Sequence, residues 1–182
     1  MDDFVESPGE LIRCFDDNGK EIAPKLRSEV HTKPLQYWHA TTGIYVINRK
    51  GELLCSKRSE NHSYRPGYWQ GCFGGHVRSG ESYEQNAIKE LYEEAGFNVP
   101  GADLHFLEEA KYGHSKHLAK LYLYLFDGDL KDIHCKDGEI TETKWMDMEE
   151  FWREKSEAGE VGASTCPPDV QEKIKKYLIP YV

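Results

Sequence analysis

The stretch GHVRSGESYEQNAIKELYEEAGF, Gly75 to Phe97, decides how the rest of the chain is read. It opens in a glycine-rich turn (Gly74, Gly75, Gly80) and runs into a pattern that predicts a helix. Ser82 is placed to cap its start and Gly96 to stop it. Ala87, Ile88, Leu91 and Ala95 form an apolar stripe at helical spacing. Glu90, Glu93 and Glu94 stand at offsets of three and four, which puts three carboxylates on one face. Like charges at that spacing cost about 0.2–0.5 kcal/mol per pair. Glu93 and Glu94 also fall in the last turn, where the helix dipole disfavours anions. A helix built only for stability would avoid this. A hard divalent cation reverses the penalty, because Mg²⁺ is held by carboxylates, waters and substrate phosphates. Three glutamates alone read sooner as a solvated acidic face; the glycine turn and Glu81 ahead of them favour the cation.

Glycine, five residues, Glu81, seven residues, then Lys89-Glu90-Leu91, one residue, Glu93-Glu94, one residue, Gly96-Phe97 resembles the Nudix box. The family pattern has Arg where this chain has Lys89, and the other fixed positions match. So many fixed positions over one short segment make a specific motif. The resemblance implies an α/β fold, an α/β/α sandwich with a mixed central sheet, and a divalent-metal enzyme that hydrolyses a diphosphate linked to another moiety. It carries the metal-ligand role to Glu90, Glu93 and Glu94, with the Gly75 carbonyl and Glu81 in support. Lys89 would orient the glutamates, as a point charge where Arg would be a planar fork. The implied cofactor is Mg²⁺ or Mn²⁺.

The 182 residues suit one domain spanning 1–182. The segment MDDFVESPGE is acidic and lacks the layout of a signal peptide. Cys14, Cys55, Cys72, Cys135 and Cys166 show no CxxC spacing, so neither a zinc knuckle nor a disulfide frame is signalled. A reducing cytoplasm is the expected setting, with no membrane association. The net charge of −9 argues against a stable nucleic-acid partner. An anionic substrate must then be met by local cations or by metal. The resemblance is also compatible with a homodimer.

Around the box, residues 9–24 read as a hairpin turning at Asp17-Asn18-Gly19. Residues 26–32 predict a short helix or turn, 36–48 and 52–57 strands, and 61–67 a loop. Further strands are expected at 103–112, 117–127 and 139–146. Helices are expected at 147–155 and about 168–178, the last with Val170, Ile174 and Leu178 on one face.

Arg27-Ser28-Glu29-Val30-His31, Gly51-Glu52-Leu53-Leu54, Lys57-Arg58, Pro66-Gly67-Tyr68-Trp69 and Gly74-Gly75-His76-Val77 resemble one Nudix branch. It holds the type I isopentenyl-diphosphate isomerases and the hydrolases most similar to them. Three positions separate isomerisation from hydrolysis. Gly74 stands where the isomerase has its cysteine, and Cys72 lies two residues upstream, roughly 6–7 Å away along a strand. Glu90 stands where the isomerase has a diphosphate-binding Arg. Residues 113–120 carry no acid where the isomerase has an acidic pair. All three favour hydrolysis, with the isomerase as the alternative. His31, His39 and His76 fall close to positions where that branch binds a second metal. His114 and His117 could replace the missing acids, and imidazole ligands favour zinc or another transition metal. The other reading of scattered histidines is exposure or hydrogen bonding in the core.

The same branch points to Arg58, beside Lys57, as a diphosphate contact, a role that suits a guanidinium fork. Arg65 and Arg78 flank the same region, where a solubility role is as good a reading. Glu139 and Glu142 are candidate bases outside the box, and read equally as the solvated side of a strand. Tyr37, Trp38, Tyr64, Tyr68, Trp69 and Tyr83 could stack on a ring or fill the core. The expected activity is metal-assisted attack of water on a diphosphate-linked small molecule. A nucleotide-binding module without catalysis is the reading from another class; the intact box carboxylates speak against it.

Overall fold

The computed structural model describes residues 9–61, 65–135, 138–158 and 166–181. Strands β1 (Leu11–Phe15) and β2 (Glu21–Leu26) form the opening hairpin. Asp16 accepts from Gly19 across its turn, and Gly19 has φ 79°, a left-handed conformation that suits glycine. Helix α1 (Arg27–Val30) follows, then the long strand β3 (Trp38–Ile47).

Beyond β3 come β4 (Glu52–Arg58), β5 (Trp69–Gln70), α2 (Tyr83–Ala95), β6 (Leu104–Tyr112), β7 (His117–Leu125) and β8 (Ile140–Asp147). Helices α3 (Met148–Glu157) and α4 (Pro168–Leu178) end the order. The sheet is mixed. β3 runs parallel to β7 from His39↔His117 to Ile47↔Leu125. β1, β4, β5, β6 and β8 join by antiparallel pairings.

Strand alternation divides the core. Tyr45 and Ile47 of β3, Leu53 and Cys55 of β4, and Leu121 and Leu123 of β7 pack with Phe151, Trp152, Val170, Ile174 and Leu178 from α3 and α4. Ile44, Val46, Leu54 and Tyr122 pack on the other face with Ala87, Leu91 and Ala95 of α2. The sandwich follows from this period of two on each strand, since each face must be covered by a helix with an apolar stripe.

Two features were not expected from the sequence. β5 is a two-residue strand on the edge of β4. The segment 73–77 lies beside β3, with Phe73, Gly75 and Val77 bonded to Ile44, Thr42 and Ala40. It lays the glycine turn directly on the central strand. Tyr64 lies outside the described residues.

Candidate active site and histidine cluster

Helix α2 is fixed at both ends. Ser82 Oγ accepts from Gln85 N at 3.1 Å, and Gln85 Oε1 accepts from Ser82 N at 2.9 Å. This reciprocal cap satisfies two end groups at once. At the other end Gly96 has φ 75°, and its N–H and that of Phe97 return to Tyr92 and Leu91. The helix therefore presents its carboxylates at a defined height against the glycine turn.

Glu94 is buried and accepts from Gly74 N at 2.8 Å. Glu90 packs over Gly75, where a Cβ would meet its carboxylate oxygen at 2.7 Å. Gly75 must stay bare for Glu90 to sit there. The Gly75 carbonyl accepts from Thr42 N at 2.9 Å, which leaves it a second lone pair. Lys89 Nζ donates to both Glu81 oxygens (3.2 and 3.4 Å) and lies 3.8 Å from Glu90 Oε1. The lysine thus does bridge two of the box carboxylates. Glu93 is half-buried one turn beyond Glu90.

Burial pushes the Glu90 carboxyl up to about 7; Lys89 and Asn86 pull it down, while Glu93 and Glu139 push it further up. A carboxylate kept in this state gains from a cation placed against it. Glu139 bears electrostatically on Glu90, and its carbonyl accepts from Ser59 N at 2.7 Å at the end of β4. Glu142 instead pairs with Lys57 at 3.0 Å on the exposed β4–β8 ladder.

Arg58 donates to Gln70 Oε1 at 2.7 Å across to β5. Lys57 falls with Leu53 and Cys55 by strand alternation, so the two basic neighbours point to different sides. Arg78 is held by Glu10 at 2.6 Å, and the Arg65 guanidinium sits over Tyr68. Tyr37 packs beneath the hairpin, Trp38 is buried with its Nε1 donating to Asp17, and Tyr83 donates to the Leu118 carbonyl. Trp69 packs on the α3–α4 side of the sheet under Lys144.

Asn86 was not singled out by the sequence reading. It is fully buried, and its Nδ2 donates to His76 O (3.0 Å), Glu90 Oε1 (3.2 Å) and Glu81 Oε2 (3.3 Å). Its Oδ1 accepts from Thr42 Oγ1 at 2.6 Å. The available signal was spacing: Asn86 precedes Glu90 by one turn and adjoins the apolar stripe.

The histidines converge. His31 follows α1, His39 opens β3, and His76 bridges to Thr41 of β3. One ligand nitrogen or another of these three lies within 4.8 Å of the rest, and His31 Nε2 is 3.1 Å from His76 Nε2. His117 joins them through the parallel register, its ring 4.6 Å from His39 and 6.0 Å from His76. His114 is exposed beside Tyr112 and stands apart. His39 is fully buried; its Nδ1 faces the Tyr37 carbonyl at 3.5 Å, and its Nε2 has no hydrogen-bond partner. Burial pulls His39 down to about 4, His117 to about 3 and His76 well below its usual range, so these rings are neutral near pH 7.

Comparison with known proteins agrees with this geometry. The NUDIX domain family model matches residues 37–164. An uncharacterized Nudix hydrolase of Clostridium acetobutylicum is 28% identical over 153 residues, covering 79% of this chain and 73% of that protein. An isopentenyl-diphosphate delta-isomerase of Corynebacterium diphtheriae is 34% identical over 89 residues, covering 49% of this chain and 48% of the isomerase. The chain thus spans only about half of that isomerase. A crystal structure from Deinococcus radiodurans superposes with a TM-score of 0.67 at 21% identity, covering 90% of this chain and 98% of the other. Among the described residues no helix is long and apolar enough to cross a membrane. With the box carboxylates gathered on α2 and the family model matching most of the chain, this protein belongs to the Nudix family.

Proposed function

We propose that the chain hydrolyses a diphosphate linkage in a nucleoside diphosphate-X or related organic diphosphate. One observation supports this reading: Glu90 and Glu94 of α2 meet the glycine turn, Glu90 over Gly75 and Glu94 accepting from Gly74, while Glu93 bears electrostatically on Glu90. The donor set is all oxygen, which suits Mg²⁺ or Mn²⁺. Such an ion would sit on Glu90, Glu93 and Glu94, with Gly75 O as a further donor. When bound, it supplies charge neutralisation at the phosphates. Lys89 and Glu81 hold the Glu90 carboxylate in place. Arg58 receives a phosphate oxygen, and Lys57 contributes only to the surrounding field. Glu139 is better placed than Glu142 to take a proton from the attacking water, because it acts on Glu90 while Glu142 is tied to Lys57. Five cysteines without a disulfide fit a cytoplasmic setting.

Isomerase chemistry is disfavoured by three positions. Gly74 offers no side chain at the isomerase's cysteine position. Cys72 packs against the core beneath α3 and α4, its thiol pushed up by burial. No acid stands at residues 113–120. The histidine cluster is kept as a second candidate ion site.

The test is a Mg²⁺- and Mn²⁺-dependent hydrolysis screen over diphosphate-linked compounds, isopentenyl diphosphate included, with Glu94→Gln as the blank. Turnover that vanishes in the blank supports the hydrolase. Tight ligand binding without turnover, unchanged in the blank, would replace it with a binding module.

A further inference from the structure

Residues paired directly across neighbouring strands share one face of the sheet. Gln70 of β5 stands opposite Ser56 of β4, and Ser56 stands opposite Thr143 of β8. The three side chains therefore form a polar row across three strands. With strands about 4.8 Å apart, the row is about 10 Å long, enough to lie along a sugar ring. The preceding row on the same face is apolar: Leu54 stands opposite Trp145, and both pack with Ala87, Leu91 and Ala95 of α2. Beyond the polar row, Arg58 donates back to Gln70 Oε1 at 2.7 Å. Arg58 pairs with Ile140, next to Glu139, which acts on Glu90. The row thus lies between the apolar seam under α2 and the end of the sheet that bears on the glutamates.

Ser56 supplies a second observation. It is fully buried, and its Oγ has no hydrogen-bond partner. A hydroxyl buried in that state is unfavourable, and a strand built only to pack would carry Val there. Gln70 and Thr143 on either side are half-buried, so the row opens to solvent at both ends. Each hydroxyl donates one hydrogen bond and accepts two, and the amide donates two and accepts two. Such a set matches a ligand that carries several hydroxyls. A hydrocarbon chain laid on it would leave every one of these groups unpaired, which is how a polar site rejects an apolar analogue. The Arg58 guanidinium reaches back along β4 to the residue that faces Ser56. Drawn to a phosphate oxygen, it would give up Gln70 and uncover the row.

We propose that Gln70, Ser56 and Thr143 form the subsite that selects the moiety attached to the diphosphate, taking a sugar or nucleoside through its hydroxyls and refusing an alkyl chain. The inference rests on the proposed function for one point, the contact of Arg58 with a phosphate. It does not need turnover.

The experiment titrates UDP-glucose, ADP-ribose and isopentenyl diphosphate into the full chain by calorimetry, with Ca²⁺ in place of Mg²⁺ so that binding is read apart from hydrolysis. At least one of the two sugar nucleotides should bind at least about tenfold more tightly than isopentenyl diphosphate. Ser56→Ala should keep the melting temperature, since the hydroxyl it removes has no partner in the free protein. It should weaken the sugar nucleotide at least about threefold, as expected for one neutral hydrogen bond, and leave isopentenyl diphosphate unchanged. Thr143→Val, at a half-buried position, should do the same. Gln70→Glu pins Arg58 in an ion pair and should weaken all three ligands. No preference in the wild type, or Ser56→Ala and Thr143→Val variants that affect all three ligands alike or none of them, overturns the proposal. Selective binding without Mg²⁺-dependent hydrolysis would leave the subsite standing and remove the hydrolase; hydrolysis without selectivity would do the reverse.

Discussion

The Asn86 side-chain amide donates to the main-chain oxygen of His76 at 3.0 Å, so a helix residue holds the segment from which both candidate sites are built. The same nitrogen reaches Glu90, and the amide oxygen takes the Thr42 hydroxyl. Asn86→Ala would leave buried donors and acceptors without partners, at about 1–3 kcal/mol each. The expected outcome is a lower melting temperature together with weaker Mg²⁺ binding. Calorimetry and a Mg²⁺ titration check both; an unchanged melting temperature would contradict the hub role.

Gly74 tolerates no side chain. Its φ is 137°, and a Cβ would collide with the Thr42 carbonyl oxygen. Gly74→Ala must displace the turn from β3 and with it the N–H that Glu94 accepts. Destabilisation of about 1–3 kcal/mol or more is expected from the strain, with loss of divalent-metal binding. A denaturant titration measures the first and calorimetry the second.

Glu90 sets a pH dependence. Its folded value of about 7 lies above its ordinary 4.5. In the metal-free protein this group's stabilising contribution is complete below pH 4.5 and is lost as pH rises through about 7. Metal binding requires the deprotonated form. Mg²⁺ affinity should therefore climb by up to about tenfold per pH unit below 7 and level off above it. Lys89→Met removes the cation that pulls Glu90 down, so the plateau should move to higher pH. Mg²⁺ titrations from pH 5.5 to 8.5 on both proteins decide this.

The buried imidazoles have the opposite sign. His39 is lowered from 6.5 to about 4 and His117 from 6.5 to about 3. Below pH 6.5 the unfolded chain takes protons that the folded chain refuses. Their contribution is present above pH 6.5 and is lost as pH falls through about 4 and about 3. His39→Asn should flatten the acid limb of the stability–pH curve, read by denaturant melts between pH 3.5 and 7.

Much of this was legible in the sequence because periodicity carries it. The α2 stripe, its Ser82 and Gly96 ends, the hairpin at Gly19 and the alternating faces of β3, β4 and β7 follow from local patterns. β5 was missed because a two-residue strand has no period; only pairing with Ser56 and Lys57 defines it. Asn86 was missed because a buried polar residue in a helix looks like any surface residue until its partners arrive from β3 and the glycine turn. The meeting of His117 with His39 depends on the parallel β3–β7 register, which no local spacing reveals. The opposite directions of Lys57 and Arg58 needed the strand's faces to be assigned.

The central claim is that the α2 glutamates hold the divalent ion. Its most direct test is calorimetric titration of Mg²⁺ into the wild type and Glu93→Gln at pH 8, with folding of both checked by circular dichroism. Glu93 is half-buried one turn beyond Glu90, so replacing one oxygen by an amide should spare the fold. The account predicts a loss of affinity of at least about tenfold. Equal Mg²⁺ affinity in the two proteins would contradict it.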